Sequence, residues 1–277
     1  MEYFIICLVA FLTSILTFFS GFGLGTILMP VFTLFFPIEL AITLTGVVHL
    51  FNNIFKLIIV GKEANKIVLF KFGIPAVIAA FFGAWLLLNI TELPPLYSYQ
   101  LGVKEFQITP VKLIISLILI GFSVIELLPL FDRIKFSAKQ LPIGGVLSGF
   151  FGGLSGHQGA LRTAFLIKAG LSKETFIGTA VVISCFVDFT RISMYATKIL
   201  GTGLFENTVL VTSATLSAIF GAFIGHRLLK KVTLKFVQKF VAICLILISL
   251  ALGVGLILVF CFFFLAAGNN TLFKINL

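Results

Sequence analysis

Few side chains in this 277-residue chain could do polar chemistry, and several of them stand inside long apolar stretches. Arg162 is the clearest case. A charge that deep in hydrocarbon costs at least about 2.5–3.5 kcal/mol, so it needs a partner or a role. Its planar donor fork suits an oxyanion or a carboxylate group. The alternative is a cation that reaches back along the chain toward the water interface near Lys168. Asp188 and Arg191 lie three residues apart in another apolar run, hence on one face of a helix. They read first as a neutralising structural pair and second as a substrate or proton site. Asn53 could hydrogen-bond an anion or cap a broken helix. Lys56 either snorkels to the interface or joins the interior charges. Counting Lys56, Arg162 and Arg191 against Asp188, the apolar interior carries a positive excess, which favours an anionic ligand. His49 and His157 could each take a proton near neutral pH, although a hydrogen-bonded packing histidine is the commoner case. His226 and Glu126 sit at membrane edges and need no role.

Two glycine-rich breaks interrupt apolar regions: Gly21-Phe22-Gly23-Leu24-Gly25, and Leu154-Ser155-Gly156-His157-Gln158-Gly159. A dinucleotide loop is excluded for the first, since no strand precedes it. At a hairpin tip, glycines let the backbone turn. The half-helices starting near Thr26 and Gly159 then aim unpaired N–H groups and positive dipole ends at one cavity. A packing role is the alternative for these glycines, as it is the expectation for Ala79-xxx-Gly83 and Ser217-xxx-Gly221. The candidate substrate-binding residues are therefore Gly21, Phe22, Gly23, Gly25, Asn53, Gly156, His157, Gln158, Gly159, Arg162, Asp188 and Arg191. No metal-ligand or cofactor pattern is present in the sequence. The four cysteines (Cys7, Cys185, Cys244 and Cys261) lie in apolar runs without ligand spacing and read as small hydrophobes.

The elements that must position these residues belong to a membrane. Hydrophobic residues are 60% of the chain and charged residues 11%, against about 45–50% and 25% in globular proteins. A mean hydropathy of +1.19 and 34 Phe leave too little polar surface for a water-soluble globule. The net charge of +10 therefore points to basic cytoplasmic loops and not to nucleic acid. No basic n-region precedes the first apolar run, so that segment is expected to remain in the mature protein.

Six stretches are long enough to cross hydrocarbon as helices: 39–60, 67–90, 110–131, 174–199, 206–229 and 236–264. Two regions, 3–36 and 142–170, are interrupted by the glycine breaks and read as hairpins that enter the bilayer and return. Irregular backbone at that depth is tolerated only where protein buries it or a cavity solvates it. With returning hairpins, thirteen Lys and Arg fall on one face and four on the other. With single crossings they divide eight against nine. The bias selects the hairpins, puts loops 61–71, 132–141, 168–173 and 227–239 in the cytoplasm, and leaves both termini outside.

The chain also matches itself. At an offset of 135 residues Gly21 falls on Gly156, Glu39 on Glu174, Asn53 on Asp188 and Lys56 on Arg191; a little later Phe82-Gly83-Ala84 falls on Phe220-Gly221-Ala222. A hairpin plus three spans per half turns the second half upside down. The expected fold is thus an all-α membrane protein of two inverted repeats, 1–131 and 132–277, each with a re-entrant broken-helix hairpin and three transmembrane helices. Such repeats build secondary transporters, with the site at the midplane.

The break followed by Pro30, its second copy near 156 and the paired Phe-Gly-Ala segments together resemble the TauE/SafE sulfite exporter family. The resemblance covers nearly the whole chain. It implies a multi-pass permease of the cytoplasmic membrane moving sulfite, organosulfonates or related small anions. The second break departs from the family pattern at His157, Gln158 and Ala160. The expected partners are the small anion and the lipid bilayer, with a proton or another cation as a coupling ion. Direction and oligomeric state stay open.

One rival belongs to another class. Gly153-Leu-Ser155-Gly156 and His49-xxx-Asn53 match short motifs of rhomboid-like intramembrane serine proteases, where a histidine would activate the serine. Against it, no late span offers a buried histidine base, and a protease has no use for an inverted second copy.

Overall fold

The computed structural model describes residues 2–18, 24–101, 104–127, 138–167, 169–199, 206–228 and 234–255. Ten helices are described: α1 Glu2–Thr17, α2 Leu24–Thr33, α3 Ile38–Val60, α4 Lys66–Thr91, α5 Pro110–Leu127, α6 Leu141–Ser155, α7 Gly159–Ile167, α8 Lys173–Ile199, α9 Thr208–Leu228 and α10 Leu234–Gly253. The fold is multi-helical. Stretches of α3, α4, α8 and α9 are long and apolar enough to cross a membrane. The other two expected spans coincide with α5 and α10. The span expected over 236–264 instead leaves the helix after Gly253, turning at Val254 and Gly255, where Gly255 is left-handed at φ +79°. The expected continuation of α5 to 131, residues 256–264, most of the loop at 132–141 and the first tip at 19–23 lie outside the described residues.

Local chemistry sets the helix ends. Pro37 precedes α3, and Glu39 in its first turn faces the positive dipole end. Asn65 caps α4 by accepting the Val68 N–H at 3.1 Å. Within α4 the turn at Leu69–Gly73 widens to π geometry just before Pro75, which has no N–H to donate to the preceding turn. Ser172 caps α8 by accepting the Thr175 N–H at 3.2 Å. Gly156 ends α6 in the left-handed conformation, φ +80°, where a side chain would be strained.

Both broken regions double back. The start of α6 lies against the end of α7: a Cβ on Gly144 would strike the Phe165 ring. Ile6 and Ala10 of α1 share one apolar cluster with Leu28 and Phe32 of α2. The arms then pack on distant helices. α6 lies along α4, α1 along α9, and α3 along α8, while α5 packs on α10. Small residues permit the closest approaches: Gly149 and Gly153 sit on the backbone of Ala76 and Ala80, and Gly221 sits on Phe11. The packing role expected of Gly83 is also seen, against the backbone at Phe150 and Leu154.

The helical fold carries one small addition in the connection between α4 and α5. Residues Tyr97–Leu101 (β1) and Lys104–Ile108 (β2) form an antiparallel hairpin with Tyr99 opposite Phe106. Tyr97, Tyr99 and Phe106 stack in a row, and the Tyr99 hydroxyl donates to the Val254 carbonyl at 2.5 Å. The alternating Tyr-Ser-Tyr-Gln-Leu pattern carries the strand signal; it lies between two apolar spans and reads there as a loop.

Candidate functional site

Two helices supply most of the site, each from one stripe. On α3, His49, Asn53 and Lys56 follow at helical spacing; on α8, Ser184, Asp188 and Arg191 do the same. Since α3 and α8 pack together, the two polar stripes meet in the interior. All six side chains are buried.

Asp188 is the hub. Its Oδ2 lies 2.6 Å from His49 Nδ1 and accepts from Asn53 Nδ2 at 3.2 Å. Its Oδ1 accepts from Arg191 Nε at 3.0 Å and from Gln158 Nε2 at 3.5 Å, with Arg191 Nη2 2.9 Å away. The pairing of Asp188 with Arg191 expected from their spacing is therefore present. His49 joins it, a contact that links residues 139 apart in sequence. Around the guanidinium of Arg191, Gly46 and Gly156 leave room where a Cβ would meet it at 3.4 Å and 2.6 Å.

The two tips meet beside this network. A Cβ on Gly25 would stand 3.8 Å from the Gly156 carbonyl and 3.8 Å from His49 Cδ2. His157 lies between two backbone carbonyls, with Nδ1 3.0 Å from Ser155 O and Nε2 3.4 Å from Thr26 O. It thus ties the second tip to the first half-helix. Ser148 of α6 donates to the Gln158 carbonyl at 3.0 Å and holds the turn closed. Gly159 opens α7 and is buried. Gly21, Phe22 and Gly23 lie outside the described residues.

Arg162 projects from α7, which opens at the second tip, and its Nη1 donates to Ser184 Oγ at 2.5 Å. Lys56 does not reach water. It is 5% exposed, with Nζ 5.3 Å from the centre of the Phe18 ring. Lys56 and Arg162 line one cavity of about 30 Å³ together with His49, Asn53, Ser184 and Thr17. That is space for roughly two waters. The residues lining it include two cations and no carboxylate, and the Thr17 hydroxyl oxygen in its wall is buried without a partner among the described atoms. Ordinary packing of apolar helices gives no reason to bury two cations around one space.

Sequence reasoning gave His49 a packing role, left Lys56 between two readings and overlooked Ser184. The usable signal was the repeat itself. Ser184 stands 135 residues after His49, the same offset that relates Asn53 to Asp188 and Lys56 to Arg191.

The sequence model of the family described as "Sulfite exporter TauE/SafE" matches residues 6–252. The chain belongs to this family. It is accordingly a multi-pass membrane permease of a transporter family and not an enzyme. No curated protein and no solved structure matches the chain significantly. The protease motifs are absorbed as structure: Ser155 donates its hydroxyl to the Phe151 carbonyl at 3.0 Å, one turn back in its own helix, and His49 faces Asp188.

Proposed function

We propose that this TauE/SafE permease is a secondary transporter. It moves a small anion, a sulfur oxyanion or organosulfonate such as sulfite, across the cell membrane by alternating access. One observation carries this reading: Lys56 and Arg162 are both buried in the wall of one cavity whose lining holds no carboxylate. An anion between them would add a negative charge that the described lining residues do not carry. Arg162 would grip two oxygens with its fork, Lys56 would act as a point charge, and Thr17 and Asn53 would donate further hydrogen bonds. Leu24, the first residue of α2, lies in the cavity wall and brings the positive end of that helix to it.

Two inverted repeats are supported by the way helices exchange partners. Broken-arm helix α6 of the second half lies along α4 of the first, and α1 of the first lies along α9 of the second. The pairs α3 with α8 and α5 with α10 join equivalent helices. A substrate held where two such halves meet can be exposed alternately to either side. Lys56 lies near the end of α3, and Phe176 and Ile177 near the start of α8, both on the face that the charge bias assigns to the cytoplasm. On this reading the cavity faces inward, and it widens to admit the anion.

The test is counterflow in proteoliposomes with sulfite, thiosulfate, alkylsulfonates and carboxylates. Sulfur oxyanions or sulfonates are expected to exchange. Exchange of cations or neutral solutes alone would overturn the reading.

A further inference from the structure

Two histidines stand in the interior, and their surroundings separate them. His157 has each ring nitrogen against a backbone carbonyl, from Ser155 and Thr26, and so acts as a clasp between the tips. His49 is placed differently. Its Nδ1 lies 2.6 Å from the Asp188 carboxylate, a separation that requires a proton between them. Nε2 is then the nitrogen free to gain or lose a proton. Asn53 Nδ2, which donates to Asp188, lies against the same ring, 3.1 Å from Nδ1 and 3.4 Å from Nε2. Asn53 and the His49 ring thus share one oxygen of Asp188, so a change of charge on the ring bears directly on the amide. A proton on Nε2 would turn the ring into a cation beside the Asn53 amide, and both residues line the cavity. The ring edge that carries Nε2 also faces Gly25 at the first tip, 3.8 Å from a Cβ placed there. A proton on His49 would therefore be felt at the cavity wall and at the tip together.

We propose that His49 carries the coupling proton of the transport cycle, taken up with the anion and released with it. The proposal rests on the anion-transport reading above. The charges around His49 favour this linkage. Asp188 and Arg191 face it from α8, Lys56 and Asn53 stand on its own helix, and Gln158 reaches Asp188 from the second tip. Arg162 of α7 lines the same cavity, as does Ser184. Cys185 neighbours Ser184 on α8, and His157 bridges the tips. α9 contributes His226 and Arg227 only at its last turn, beside Phe18 and Phe223. With Lys56, Arg162 and Arg191 against Asp188, the interior resists one more positive charge until an anion arrives. Anion and proton then each raise the affinity for the other. The proton is transferred from water to Nε2 and back to water on the other side, with no other bond made or broken.

The experiment uses the full chain in proteoliposomes with thiosulfate, whose charge does not change in the neutral range, and a pH-sensitive dye inside. The wild type is expected to move one proton with each thiosulfate ion. Its apparent thiosulfate affinity should fall by up to about tenfold per pH unit above the titration of His49. His49→Asn, which keeps a donor toward Asp188, and His49→Gln should slow exchange but bring the proton-to-anion ratio to zero and flatten the pH profile. The ratio is independent of rate, so a slower variant still reads out. Thiosulfate exchange in the wild type with no proton movement would overturn the proposal, as would an unchanged ratio in either variant. Absence of any anion exchange in the wild type would instead overturn the anion-transport reading itself. If neither variant assembles, the wild-type ratio and pH profile decide alone.

Discussion

The stripes of α3 and α8 occupy the same register of the internal repeat and do opposite things with a cation. On α8, Arg191 is held by Asp188 three residues earlier, 3.0 Å from Nε to Oδ1, and fits against Gly46 and Gly156. On α3, the residue three before Lys56 is Asn53, which is neutral. Among the described residues, Lys56 faces the Phe18 ring and the cavity. One amide in place of one carboxylate separates a closed ion pair from a cation that can accept a diffusible anion. A buried cation with a built-in partner is accounted for by structure; one without a carboxylate among the described residues is the candidate for binding an anion.

The contrast can be broken most forcefully at Asp188. Asp188→Asn leaves Arg191 buried without its carboxylate, and leaves a single acceptor oxygen where His49 and Arg191 now have one each. A loss of about 3–5 kcal/mol is expected, read as a large drop in the melting temperature of the detergent-solubilised protein. A variant as stable as the wild type would show that Asp188 is not the hub.

Next in size is the pair of substitutions that treats the two cations alike. Arg191→Met should destabilise strongly, because Asp188 loses its partner. Lys56→Met should leave the melting temperature equal or higher, since a buried charge without a carboxylate costs energy in the empty protein. It should nonetheless weaken anion binding by more than about tenfold, a loss of 1.4 kcal/mol or more. Equal destabilisation by both would erase the distinction between the stripes.

Arg162 sharpens it further. Arg162→Lys keeps the charge but loses the fork that reaches Ser184, and a sulfur oxyanion is expected to bind about tenfold more weakly, by titration calorimetry, with the protein still assembled. Arg162→Ala should abolish binding.

The smallest effects are expected around the second tip, at Gly156 and then at Tyr195. Gly156→Ala combines a left-handed backbone with a Cβ 2.6 Å from Arg191 Nη1. About 1–2 kcal/mol of stability should be lost. The Tyr195 hydroxyl, which donates to the Gly153 carbonyl next to this turn, offers a companion measurement. Tyr195→Phe should cost about 1 kcal/mol.

Helix placement was readable from the chain because hydrocarbon leaves little freedom. A run of about 20 apolar residues has to be helical there, and a glycine-rich interruption has to be buried in protein. α3, α4, α8 and α9 fall within two residues of the spans read from hydropathy, and both breaks fall between short helices. The pairing of Asp188 with Arg191 was legible for the same kind of reason, since three residues along a helix make neighbours. The β1–β2 hairpin was not, because five-residue strands between apolar spans are short and polar enough to pass for a loop.

Sequence alone also determined that cations outnumber the carboxylate in the interior. It could not say which cation is satisfied. That depends on His49 meeting Asp188 across 139 residues, on Gly25 meeting Gly156 at the tips, and on Arg162 and Lys56 facing one cavity from different helices. Those distances follow from how α3 and α8 pack, and helix packing is decided by side-chain shape at close range. Periodicity along the chain carries only the stripe. The identity of what each stripe faces exists only once the helices have been brought together.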